Sequence, residues 1–204
     1  MADPHPNARL EAFCDGVFAI ALTLLIVDIK LTSPESTGST ADLWRALRLL
    51  GPSIGAFVLS FGVILITWVN HHAFLKLVRG STSSFIYANG FLLLTVVFIP
   101  FPTSLLGEFV STDHAAPAVV LYDGVLAVQA IGWVLLAGTA LRNQLANNER
   151  SALAMHGNKR NGYVAFAFYS LLAIVALWFP FAVAIVTTLS WIFWLTLSIR
   201  LQHA

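Results

Sequence analysis

The chain has 204 residues, of which 58% are hydrophobic and 10% charged, and its mean hydropathy is +0.80. An average soluble domain carries roughly 25% charged residues, so this composition excludes a soluble globular domain, a disordered chain and a secreted disulfide scaffold. It describes an integral membrane protein built as one unit. Eleven Lys and Arg against ten Asp and Glu leave no basic field for gripping nucleic acid. The single cysteine, Cys14, excludes an internal disulfide and a Cys-based metal cluster.

A helical span takes about 20 mostly apolar residues, within a range of about 17–25. The first apolar stretch is short, bracketed by Asp15 and Asp28, but the helical pattern runs back to Arg9 and forward to Leu31. Arg9 is the only cation ahead of it and no small-residue cleavage pattern follows, so a span over 9–31 is expected rather than a signal peptide. The segment 32–42, rich in Ser and Thr with Pro34 and Gly38, reads as an exposed loop. Further spans are expected over 47–75, 82–107 and 115–141, followed by a polar connection over 142–161. The uncharged stretch 161–199 is too long for one helix and holds Pro180 at its midpoint. Proline cannot continue the backbone ladder, so spans over 162–179 and 181–201 are expected, joined by a tight turn. The reading is a single all-α domain, 1–204, with six transmembrane helices.

Orientation follows the Lys and Arg distribution. With the N-terminus inside, Arg9, Lys76, Arg79, Arg142, Arg150, Lys159, Arg160 and Arg200 fall on the inner side, against Lys30, Arg45 and Arg48 outside. Both termini are therefore expected in the cytoplasm. The hexapeptide from Asp15 to Ile20 has an echo from Asp123 to Val128, three spans later. That spacing fits the inverted repeats of transporters, and it keeps open a secondary transporter that uses Asp15 and Asp123. The likeness stops after six residues, which favours coincidence.

An ionisable residue inside a span points to function, because leaving it in lipid costs about 2.5–3.5 kcal/mol on insertion scales. Arg9 and Asp15 lie near the inner end of the first span, where the second span ends in Trp68-Val69-Asn70-His71-His72. The expectation is a network in which Asp15 accepts hydrogen bonds from Asn70 or His71 and Arg9 satisfies a carbonyl or carboxylate. A metal site at His71 and His72 is disfavoured: adjacent helical residues point about 100° apart, and no His-x3-His pair with a nearby acid occurs. No nucleophile–base–orienter set marks an enzyme, so neither catalytic nor metal-binding residues are assigned.

At 3.6 residues per turn, Phe13, Gly16, Ile20, Thr23, Leu24 and Val27 form one stripe of the first helix. The stripe fits an ordinary packing seam. It also fits the wall of a narrow passage, with Ile20 and Leu24 pinching it and Thr23 offering oxygen to a partly dehydrated cation.

The run from Arg9 through Phe13, Cys14, Asp15 and Gly16 to Ile20, Thr23 and Leu25 resembles the Arg-x-x-x-Phe-Ser-Asp-Gly signature of the transmembrane-protein-175 potassium channel family, in a bacterial single-repeat form. Trp68 to His72 resembles that family's second-span end, Ile99-Pro100-Phe101 its third-span Pro-Phe, and Tyr122 the start of its fourth span. Cys14 departs from the family's Ser, and a thiol is the poorer hydrogen-bond partner. The resemblance implies a homotetrameric potassium channel in a bacterial inner membrane, with no cofactor and with monovalent cations and lipid as its partners. No Thr-Val-Gly-Tyr-Gly filter is present. The family pore is lined by the first helix. Ile20 matches its hydrophobic constriction, Leu24 and Val27 its outer apolar layers, and Thr23 its selectivity threonine. Arg9, Phe13, Asp15, Gly16, Trp68, Asn70 and His71 match the structural network of the signature.

Overall fold

The computed structural model describes residues 7–27, 29 and 38–203, without the side chains at 192 and 195–203. The fold is all-α. In chain order the helices are α1 (Ala8–Val27), α2 (Thr40–Leu49), α3 (Gly51–Leu75), α4 (Ser83–Phe98), α5 (Pro100–Phe109), α6 (Ala115–Arg142), α7 (Glu149–Val175) and α8 (Pro180–His203). Among the described residues, four stretches are long and apolar enough to cross a membrane: Ala8–Val27, Gly51–Leu75, Ser83–Phe109 and Ala115–Arg142. A shorter apolar stretch, Pro180–Trp191, opens α8.

Several boundaries differ from the sequence reading. Residues 40–42 are not loop: Ser39 caps α2, its Oγ accepting from Asp42 N at 3.2 Å. α2 is a separate short helix rather than the start of the second span, and a single residue, Leu50, separates it from α3. Asp28, Lys30 and 32–37 lie outside the described residues. The third apolar stretch breaks at Pro100, which opens α5 and has no N–H to donate back into the preceding turn. The polar segment 142–161 is mostly helix. Asn148 caps α7 by accepting from Ser151 N at 2.8 Å, so only a short link joins α6 to α7. Charges made that segment look like a loop, yet a capped helix can run past the apolar zone with its polar side wet. α7 ends at Val175 and α8 starts at Pro180, where the missing N–H is harmless.

Beyond the ends of α3 and α6 and at the start of α1, two backbone bonds and one side-chain bond tie the chain together. Arg79 N donates to Leu145 O at 2.9 Å and Asn147 N to Leu77 O at 3.0 Å, while Asn7 Nδ2 donates to Val78 O at 3.0 Å. Within lipid, helices associate by close packing rather than by apolar burial. Accordingly, a Cβ added at Gly107 would lie 2.8 Å from Ser53 Cα, and one at Gly162 would lie 2.7 Å from Val134 Cγ2. These close approaches draw α3 against α5 and α6 against α7.

Candidate functional site

α1 has two unlike faces. Cys14, Phe18, Ala21 and Leu25 are buried against Ile64 of α3, Leu93 and Val96 of α4 and Val125 of α6. About half a turn away at 3.6 residues per turn lie Arg9, Phe13, Gly16, Ile20, Thr23 and Val27, all exposed. Ile20 is 59% exposed, Val27 62% and Phe13 62%; Leu24, at the edge of the stripe, is 42% exposed. A Cβ on Gly16 would meet nothing within 4 Å. Thr23 donates its hydroxyl hydrogen to Ile20 O at 2.9 Å, which leaves the hydroxyl oxygen free to accept. Every residue of the stripe read from the sequence thus shares a face that the protomer itself leaves open.

The polar network differs from expectation in its partners. Trp68 Nε1 donates to Asp15 Oδ1 at 2.8 Å, and the indole stacks on His72 with ring centroids 6.0 Å apart. His71, expected as a donor to Asp15, is buried instead between Phe18 and Trp133. Its Nε2 lies 2.6 Å from Asn89 Oδ1. Since that amide oxygen can only accept, Nε2 carries the hydrogen. Asn89 Nδ2 in turn donates to Cys14 Sγ at 3.2 Å. Trp68 and His71 sit about 60° apart around α3, enough to send one to the exposed rim of α1 and the other into the core behind it. Asn70 lies on another side of α3, at the wall of a cavity bounded by α6, α7 and α8. Arg9 is exposed in the first turn of α1.

Cys14 therefore keeps an acceptor role at the position where the signature has Ser. Asn89 is the residue that sequence reasoning missed, although an amide inside the otherwise apolar α4 is itself a signal.

Asp123 lies apart from this network. It is fully buried, accepts from Thr187 Oγ1 at 2.8 Å, and its Oδ2 has no partner among the described residues. Thr187 O also accepts from Ser190, which bonds Tyr169. Asp15 and Asp123 thus belong to separate hydrogen-bond groups, one shared with Trp68 and the other with Thr187. Among the described residues, no group of three His, Cys, Asp or Glu could hold a metal ion.

Comparison with known proteins points one way. Residues 9–100 match the family model of the endosomal/lysosomal potassium channel TMEM175. A potassium channel of Chamaesiphon minutus is 45% identical over 125 residues, a match that spans 61% of each chain. One from a Chryseobacterium species is 30% identical over 176 residues, covering 86% of this chain and 85% of its own. Among solved structures, the crystal structure of a lysosomal potassium-selective channel TMEM175 homolog from Chamaesiphon minutus superposes with a TM-score of 0.84 at 32% identity, over 94% of this chain and 97% of that one. With its signature helix, its fold and this near end-to-end correspondence, the chain belongs to the TMEM175 family.

Proposed function

We propose that the protein is a potassium-selective, leak-like cation channel of a bacterial inner membrane, assembled as a homotetramer around α1. Each protomer crosses the bilayer six times, with α4 and α5 forming one span and both termini in the cytoplasm. Ile20, Leu24 and Val27 form stacked apolar rings that gate by contact or dewetting. Thr23, between the first two, supplies oxygen to a partly dehydrated potassium ion. The Asp15–Trp68 bond and the buried His71–Asn89–Cys14 chain fix the rotation of α1 on α3 and α4, and so fix which side chains meet at the axis.

The observation that carries this reading is the open face of α1. A purely apolar face would be content in lipid. This one carries Arg9, Gly16 and Thr23 along the same line as Ile20 and Val27, with Asp15 beside it. Cations and carboxylates on spans turn toward protein or water-filled space, and small residues favour close approach of another helix. Four copies brought together along this face give both. The names of the relatives support potassium as the permeating ion.

Purified protein in liposomes tests it. Potassium uptake through the channel is expected to exceed sodium uptake under equal gradients. Equal uptake of both ions, or none, would overturn the reading.

A further inference from the structure

α2 buries none of its ten residues. At 3.6 residues per turn, Leu43, Trp44, Ala46 and Leu47 fall on one side, with Asp42, Arg45 and Arg48 on the other. Leu43, Trp44 and Leu47 are 43%, 63% and 40% exposed. An apolar side without a protein partner, set opposite basic residues, is the pattern of a helix that lies in the plane of the membrane interface. The place of α2 in the chain sets its depth. Leu50 alone separates it from α3, whose 25 residues are long and apolar enough to cross a bilayer. Pro52 has no N–H to donate back to Arg48 O, so the two hydrogen-bond ladders are interrupted and α2 need not follow the axis of the span. At 1.5 Å per residue α2 is about 15 Å long, too short to cross by itself.

The charges of α2 say what faces it. Asp42 is engaged within the helix: Ser39 Oγ donates to it at 2.6 Å, and Arg45 Nη1 lies 4.0 Å from it. Among the described residues, Arg48 makes no ion pair. Its Nε donates to Trp44 O at 3.4 Å, which holds the side chain along the helix near the indole. A guanidinium suits a phosphate, which it can grip with two parallel N–H bonds. Lipid phosphates lie at the level where a spanning helix enters the bilayer, and tryptophan favours that same level. We infer that α2 is a membrane-interface anchor, with Leu43, Trp44 and Leu47 inserted among the upper acyl chains while Arg48, supported by Arg45, binds lipid phosphate. Seated there, α2 fixes the point at which α3 enters the bilayer. The inference rests on the proposed crossing of α3 and not on which ion permeates.

Spin-label EPR tests this on the full-length protein in nanodiscs of phosphatidylcholine and phosphatidylglycerol. The label is attached in turn to Leu43→Cys, Leu47→Cys, Arg45→Cys and, on α3, Val58→Cys. These positions are exposed, so the label disturbs no packing, and native Cys14 is buried. Relaxation by oxygen, which concentrates among acyl chains, is compared with relaxation by a water-soluble nickel chelate. Oxygen is expected to dominate severalfold at Leu43→Cys and Leu47→Cys, and nickel at Arg45→Cys. Adding Arg48→Glu to Leu47→Cys should shift that label toward nickel, because a carboxylate repels phosphate. Nickel dominance at both leucine positions would place α2 in water and overturn the inference. Shielding of both from both reagents would mean that a second copy of the chain covers them, and would overturn it too. A label unmoved by Arg48→Glu would overturn the phosphate contact. Oxygen dominance at Val58→Cys with nickel dominance on α2 would sink the anchor alone, whereas nickel dominance at Val58→Cys as well would sink the crossing of α3 on which it rests.

Discussion

Trp68 Nε1 reaches 2.8 Å to Asp15 Oδ1, joining the rim of the open face of α1 to α3. The bond ends on a carboxylate, and hydrogen bonds to charged groups are the stronger kind, although exposure in the protomer weakens this one. Trp68→Phe keeps an aromatic ring, though a smaller one, and removes the donor. It is expected to lower stability by about 0.5–1.5 kcal/mol, read as a lower melting midpoint in detergent. Asp15→Ala should also reduce the yield of the assembled form on size-exclusion chromatography. Unchanged melting and unchanged yield would detach this pair from the architecture.

The buried chain behind it should be less forgiving. Asn89→Leu leaves the Nε2–H of His71 without its acceptor in a site that is 1% exposed. The expected loss is about 1–3 kcal/mol, measured by thermal or denaturant unfolding. Cys14→Ser restores a hydroxyl acceptor for Asn89 Nδ2 and should leave the fold intact.

How far the sequence could be read depends on which forces act within one helix and which act between helices. The stripe from Phe13 to Val27 was legible because helical period alone assigns residues to a face. The partner of Asp15 was not, since the choice among Trp68, Asn70 and His71 rests on how far α3 is rotated against α1, a property of the packed pair. α2 falls across two expected features, the loop ending at Asp42 and the span beginning at 47, and its charges Asp42, Arg45 and Arg48 weaken an apolar-span signal. Its signal was the Ser39 cap followed by Leu43, Trp44 and Leu47 along one side. In α7 the second half coincides with the expected helix over 162–179, while Glu149, Arg150, Lys159 and Arg160 disguise the first half as a connection whose helical start is marked by the Asn148 cap. The cavity beside Asn70 has no linear signature, because its walls come from α3, α6, α7 and α8.

Close crossings give a sharp contrast between glycines. At Gly107 an added Cβ would press on the Ser53 backbone at 2.8 Å, whereas at Gly124 it would meet nothing within 4 Å. Gly107→Ala is expected to cost about 1–3 kcal/mol through overpacking, and Gly124→Ala to be neutral or mildly stabilising. Thermal unfolding of the two variants side by side checks this. Equal melting midpoints would mean that α3 and α5 separate easily.

Thr23 offers a hydroxyl oxygen on the open face while its hydrogen is held by Ile20 O. Thr23→Ala removes that oxygen and leaves the apolar side chains of Ile20, Leu24 and Val27 in place. Conduction should persist while the preference for potassium over sodium falls, as measured by reversal potentials under bi-ionic conditions. Unchanged ion ratios would assign Thr23 to helix packing.

In the proposed channel, Ile20 closes a pore on the axis rather than facing lipid. Ion flux through Ile20→Asn protein in liposomes tests it most directly. A polar ring should wet the constriction, so potassium flux is expected to rise well above wild type, with the assembled form retained on size-exclusion chromatography. Flux identical to wild type from a correctly assembled Ile20→Asn protein would contradict the claim.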